Sequence, residues 1–270
     1  ALAVSHGNIG LLNQYEGRYA AASSAYAEAL QILKRLDDKR GLAEFTIKEA
    51  MALIELGRLE EAQAKLDAAS AWVQETGNRE QSADFQTAVG ELQLATGEVT
   101  AAGKAFAQAV ELATASGSRV AILRARIAQG GGLVALGDAA GAASALASSV
   151  REAETVGDVL LCIRGLESLA RAELARGRLP QAEDAARRAL KAAERSGWGE
   201  GLYRLHALLG RVQEKKGNAA GAMAAYRESA RSLSVLTEGL APELRSSLAS
   251  VPVAREVGAW LAAHPLNAGR

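Results

Sequence analysis

The sequence predicts an all-α solenoid of helix-turn-helix repeats, and three observations carry that expectation. A glycine recurs every 40 residues, at Gly17, Gly57, Gly97, Gly137, Gly177 and Gly217. Five residues after each stands an alanine (Ala22, Ala62, Ala102, Ala142, Ala182, Ala222), and seven before each a glycine or alanine (Gly10, Ala50, Gly90, Gly130, Ala170, Gly210). The composition is rich in Ala, Leu, Glu and Arg with four Pro and three Phe, which favours long helices and starves strands. Self-similarity at a period of 20–50 residues marks a stacked repeat, in which each unit buries its apolar face only against its neighbours.

Each period divides into two helices. In the second unit, apolar residues at 42, 45, 46/47, 50, 53 and 54 form a helical stripe that ends at Gly57, where a left-handed turn is expected. Leu59, Ala62, Leu66, Ala69 and Val73 then lie on one face of a second helix, closed by Gly77. Gly117, Gly157 and Gly197 repeat that second break, and Asp37 occupies the slot in the first unit. The six units span 1–37, 38–77, 78–117, 118–157, 158–197 and 198–236. Small residues seven before and five after the turn glycine are expected where the paired helices cross closely. Pro180 fits the first turn of a second helix, where a missing N–H costs nothing. The tail, 237–270, breaks the period. Pro242 and Pro252 open two short helices, and Val253, Val257, Trp260 and Leu261 share a face suited to covering the last unit, with a frayed end about Pro265 and Gly269. The chain opens at Ala1 inside an expected helix, which reads as a piece cut from a longer protein.

Lys+Arg and Asp+Glu are both 31, which argues against bulk attraction to nucleic acid or to an anionic membrane. The halves differ: residues 1–135 hold 13 bases and 16 acids, residues 136–270 hold 18 and 15. Cys162 is the single cysteine, so no internal disulfide forms and a reducing, cytoplasmic setting is expected. No apolar run is long enough to span a bilayer, and no signal peptide is expected from these residues.

The order of small residue, turn glycine, aromatic or aliphatic residue, alanine and bulky residue resembles the tetratricopeptide repeat. It reads Gly10, Gly17, Tyr19, Ala22, Tyr26, Ala29 in unit one and Gly90, Gly97, Val99, Ala102, Phe106, Ala109 in unit three. The resemblance covers about 235 of the 270 residues. It departs in its 40-residue period, against the usual 34, and in lacking the closing proline. It implies a right-handed superhelix whose first helices line a concave groove. Long-period members are similar to sensor or scaffold regions of bacterial regulators, kinases and maltose-regulator-like ATPases.

Candidate chemistry is sparse. His6, His206 and His264 stand far apart in sequence, none beside a cysteine or in a metal-binding i, i+4 pair, so neither metal nor cofactor is expected. Cys162, among Leu160, Leu161 and Ile163, reads as a small core hydrophobe. Gly130-Gly131-Gly132 lies mid-helix without the strand or the Lys-Ser/Thr of a phosphate loop. Its second and third glycines suggest drift in a loosely packed unit, a flexible joint, or a place where a ligand backbone lies close to the helix. The groove positions implied by the resemblance are more informative. Thirteen before the turn glycine stand Val4, Glu44, Asp84, Arg124, Arg164 and Arg204; six before stand Leu11, Met51, Glu91, Gly131, Arg171 and Arg211. Past unit three both columns carry arginine apart from Gly131, which predicts a groove acidic at one end and basic at the other. The Lys/Asn set that holds a terminal carboxylate in the family's best-known groove is not reproduced. The expected function is therefore a non-enzymatic scaffold or sensor module. It would bind a helix or extended segment whose acidic stretch meets Arg124, Arg164, Arg171, Arg204 and Arg211, with apolar anchoring at Leu11, Tyr15, Met51 and Ile54. Two alternatives stand beside it: a self-associating dimer, and a regulatory region of a multidomain kinase, ATPase or transcription regulator.

Overall fold

The computed structural model describes residues 1–265. Twelve helices pair into the six units. They are α1 (Leu2–Tyr15) with α2 (Tyr19–Arg35), α3 (Lys39–Glu55) with α4 (Leu59–Thr76), and α5 (Arg79–Thr96) with α6 (Val99–Ser116). Then come α7 (Arg119–Ala135) with α8 (Ala139–Val156), α9 (Val159–Ala175) with α10 (Leu179–Ser196), and α11 (Leu202–Lys215) with α12 (Ala219–Thr237). The tail adds α13 (Pro242–Ser250) and α14 (Pro252–Ala263). No strand occurs among the described residues. The architecture is an all-α tetratricopeptide-like solenoid.

The turns follow from local chemistry. All six period glycines have positive φ, and Asp37 (φ 51°) is the single non-glycine residue there among those described. Side-chain oxygens of Asp38, Asn78, Ser118 and Asp158 accept the backbone N–H three residues on and so start α3, α5, α7 and α9.

The crossings pair small with large. A Cβ on Gly10, Gly90 or Gly130 would lie 2.5–2.7 Å from Tyr26, Phe106 or Leu146, and on Gly210 3.0 Å from Tyr226. The residue facing the small position is thus the bulky one nine after the turn glycine, rather than the alanine five after it, although those alanines are fully buried too. Gly132 has its own partner, since a Cβ there would lie 2.6 Å from the Phe106 ring. It is a packing residue and not drift. Gly131 faces open space, its nearest neighbour being Ser168 Oγ at 3.7 Å from an added Cβ, and α7 runs unbroken through all three glycines.

The tail does two things where the sequence suggested one. Val253, Val257, Trp260 and Leu261 pack on Tyr226 and Ala222 of α12, and Trp260 stacks on Tyr226 at 4.5 Å. The preceding segment reaches across to the second unit. An added Cβ on Gly57 would lie 3.0 Å from Val251 and 3.1 Å from the Ser247 carbonyl oxygen. Leu240 and Leu248 join Tyr19, Ala52, Leu56, Tyr203 and Leu236 in one apolar cluster. The expected frayed end beyond Pro265 lies outside the described residues.

Candidate functional site

The concave face is built from the first helices of the units, and two adjoining chambers open there. The larger, ≈ 430 Å³, is lined by Leu11, Tyr15, Glu44, Met51, Asp84, Arg124 and Arg164 among others. The second, ≈ 240 Å³, is lined by Ile54, Glu91, Arg171 and Arg204, and by Gly131. Gln14, Met51, Thr87, Leu161, Arg124 and Arg164 border both chambers. Eleven of the twelve expected groove residues therefore converge. The exception is Arg211, whose guanidinium meets the Glu256 carboxylate of α14.

The charges are arranged differently from an open groove with opposite poles. Arg124 pairs with Asp84 one unit earlier. Arg204 pairs with Glu167 (3.1 Å) and, across 149 residues of sequence, with Glu55. Arg164 Nη2 lies 3.6 Å from Glu200 Oε2. Arg171 is exposed and forms no ion pair among the described residues. Arg124 thus meets an acid of the columns, while Arg164 and Arg204 meet Glu55, Glu167 and Glu200, which lie outside them, and the Arg204–Glu55 pair forms because the sixth unit returns to the first two.

That return is a seam made of backbone as well as side chains. The N–H groups of Gly199 (2.8 Å) and Glu200 (3.1 Å) both donate to the Tyr15 carbonyl. Glu200 has no exposed surface. Its Oε1 accepts from Gln14 Nε2 (2.9 Å), while Tyr26 Oη donates to Gln14 Oε1 (2.8 Å). Gly199 passes so near Glu16 that a Cβ would lie 2.6 Å from its carbonyl oxygen. The Trp198 ring packs over Gly201 and beneath the Arg204 guanidinium, 5.9 Å from the ring centre.

Because of this seam, α11 begins at Leu202 and not next to residue 198 as the period implied. The sequence held a signal for the departure. The capping column Asp38, Asn78, Ser118, Asp158 reads Trp198 in the sixth unit, with Gly199 and Gly201 following. Glu55, Glu167, Glu200 and Glu256 fall outside the two columns and had no such signal.

Burial tunes the acids of the second chamber. Glu55 is pushed up to about 7, mainly by loss of water and secondarily by Glu200 and Glu167, against the pull of Arg204. Burial likewise raises Glu91, opposed by Arg164, Arg171 and Arg204. Burial works against the Arg164 charge, but Glu200, Tyr15 and Glu55 outweigh it and hold that guanidinium above its ordinary range. The three histidines stay apart. His6 contacts Glu28 (2.8 Å), His264 stacks on Trp260, and His206 faces the outer surface near Glu194 and Glu228. Cys162 is half-buried, its thiol raised chiefly by burial. No cluster of three or more His, Cys, Asp or Glu suited to a metal occurs among the described residues. No described helix is long and apolar enough to cross a membrane.

Residues 13–127 match the model of one protein family, soluble NSF attachment protein, SNAP. No curated protein matches the sequence. Among solved structures, a Rap protein complexed with competence and sporulation factor is similar over 94% of this chain and 72% of its own, at 17% identity and TM-score 0.70. The apo form of RapI is similar over 88% and 99%, at 16% identity and TM-score 0.58. A signal-transduction ATPase with a tetratricopeptide-repeat sensor, from Pyrococcus horikoshii, is similar over 97% of this chain and 42% of its own, at 14% identity and TM-score 0.57.

Proposed function

We propose that this chain is a protein-interaction or sensor module that takes an extended peptide or protein segment into its concave chambers and performs no chemistry on it. The observation that carries this reading is the convergence on adjoining cavities of nine expected residues from two columns of 40-residue period, with Tyr15 and Ile54 beside them. The similar structures include one complexed with competence and sporulation factor and one described as having a tetratricopeptide repeat sensor, which accords with it.

Size decides between a helical and an extended occupant. A helix about 10 Å across with a 5.4 Å pitch fills on the order of 400 Å³ per turn, so the larger chamber holds about one turn. An extended segment crossing both chambers fits better. Its acidic group would meet Arg171, the arginine of the second chamber not engaged by a carboxylate among the described residues, and its apolar part would lie against Met51, Leu11 and Ile54. A second reading, a regulatory region within a larger signalling protein, draws on the similar ATPase, of which this chain spans 42%. A reducing, cytoplasmic setting suits the single half-buried thiol.

The test compares pull-downs from source-cell lysate by the wild type and by Arg171→Glu/Met51→Glu, with circular dichroism confirming equal helix content. Proteins recovered by the wild type alone are expected. An identical set recovered by both forms would refute binding in the chambers.

A further inference from the structure

On the outer face a second depression, ≈ 680 Å³, lies where α10 and α12 both pack on α11. Each of the three helices turns one face into it. α10 presents Arg187, Leu190, Lys191 and Glu194, spaced by three, one and three residues, and α11 presents His206, Leu209 and Gln213. From α12 the small residues Gly221, Ala224 and Ala225 keep the trough open, and Arg227, Glu228 and Arg231 edge its far end. Leu190, Leu209 and Ala225 give it an apolar floor.

The rim is basic. It carries four cations, Arg187, Lys191, Arg227 and Arg231, against two carboxylates, Glu194 and Glu228. Arg187 and Arg231 are engaged by Glu183 and Glu228. Lys191 and Arg227 are exposed and make no ion pair among the described residues. The lining of α12 runs from Gly221 to Arg231, about 15 Å at 1.5 Å per residue, or nearly three helical turns.

We infer that this trough is a second docking surface, which takes an acidic amphipathic helix of a partner protein, its apolar edge on the Leu190–Leu209 floor and its carboxylates on Lys191 and Arg227. Burial lowers His206 in the empty trough, with Glu194 and Glu228 opposing. A docked helix changes both influences on the ring, since added burial lowers its titration midpoint and a nearby carboxylate raises it. Arg187, Lys191, Arg227 and Arg231 also face the ring's surroundings, and a bound acid screens them.

The experiment uses a synthetic helical peptide of about three turns, glutamate along one edge and leucine and alanine along the other, and its lysine-for-glutamate counterpart. The whole chain is titrated with each, read by peptide fluorescence anisotropy and by the His206 ring-proton resonance, assigned through His206→Gln. The glutamate peptide is expected to bind and to shift the His206 ring resonance. Its affinity should fall at least about tenfold between about 0.01 and 1 M salt, where the screening length shrinks from about 30 to 3 Å. Lys191→Glu/Arg227→Glu should abolish binding, and the interior variant Arg171→Glu should leave it unchanged. Equal binding of the two peptides, no His206 response, or loss with Arg171→Glu but not with Lys191→Glu/Arg227→Glu would each overturn the assignment.

Discussion

Glu55 and Glu183 are perturbed in opposite directions, and each leaves its own mark on stability. Glu183 accepts from Lys216 Nζ (2.6 Å) first of all, and from Arg187 and Gln213, which holds it at about 2. A carboxylate lowered in the folded state stabilises it above the ordinary range and loses that contribution as pH falls toward about 2. Glu55 is raised to about 7 from an ordinary value of 4.5, so the folded state keeps a proton that the unfolded chain releases. Its contribution falls as pH rises between those two values. Chemical denaturation at several pH values should show Glu183→Gln flattening the acid limb below about pH 4 and Glu55→Gln flattening the decline on the approach to neutrality. The crossing glycines act through volume instead. Gly90→Ala places a methyl 2.6 Å from the Phe106 ring and should cost about 1–3 kcal/mol. Gly132→Ala should cost a similar amount, whereas Gly131→Ala has room and a better helix propensity and should be neutral to stabilising by thermal melting.

At the scale of the helix, most of what the period implied is present, because the determinants are local. A residue with positive φ at each turn, a capping oxygen and a 3.6-residue apolar stripe need no distant partner to act. Asp158→Ala removes the acceptor for the Leu161 N–H and should cost about 1 kcal/mol, with hydrogen exchange rising first in the opening turn of α9. The exception is instructive. The first turn of α11 is missing where Trp198 replaces the capping residue, and residues 198–201 instead satisfy the Tyr15 carbonyl and bury Glu200. A local rule fails there because a contact 184 positions away, between Tyr15 and Gly199, takes over the backbone groups it would have used.

At the scale of the molecule, the seam changes how the solenoid behaves. In an open array each unit meets only its neighbours, and unfolding can proceed piecewise. Here the first, second and sixth units and the tail share a cluster that includes Tyr19, Leu56, Tyr203 and Leu248. Loss of one end therefore removes contacts from the other. Gly199→Ala drives a methyl onto the Glu16 carbonyl at 2.6 Å and should part the seam. The expected result is an increased radius of gyration by solution scattering and a shallower denaturation curve, with helix content preserved. An unchanged radius would show that the seam absorbs the methyl and does not part.

The amino-acid order by itself determined the all-α repeat, its 40-residue period, the turn glycines and the small residues seven before them. Each of these depends on spacings of three to forty residues that recur along the chain. Only the tertiary structure decided that the arginines meet acids of their own chain, that Arg211 belongs to the tail contact, and that Gly57 serves as a platform for Val251. The physical reason is cumulative geometry. Whether the sixth unit falls against the first depends on a small rotation per repeat summed over all six, and no single repeat's residues encode that sum.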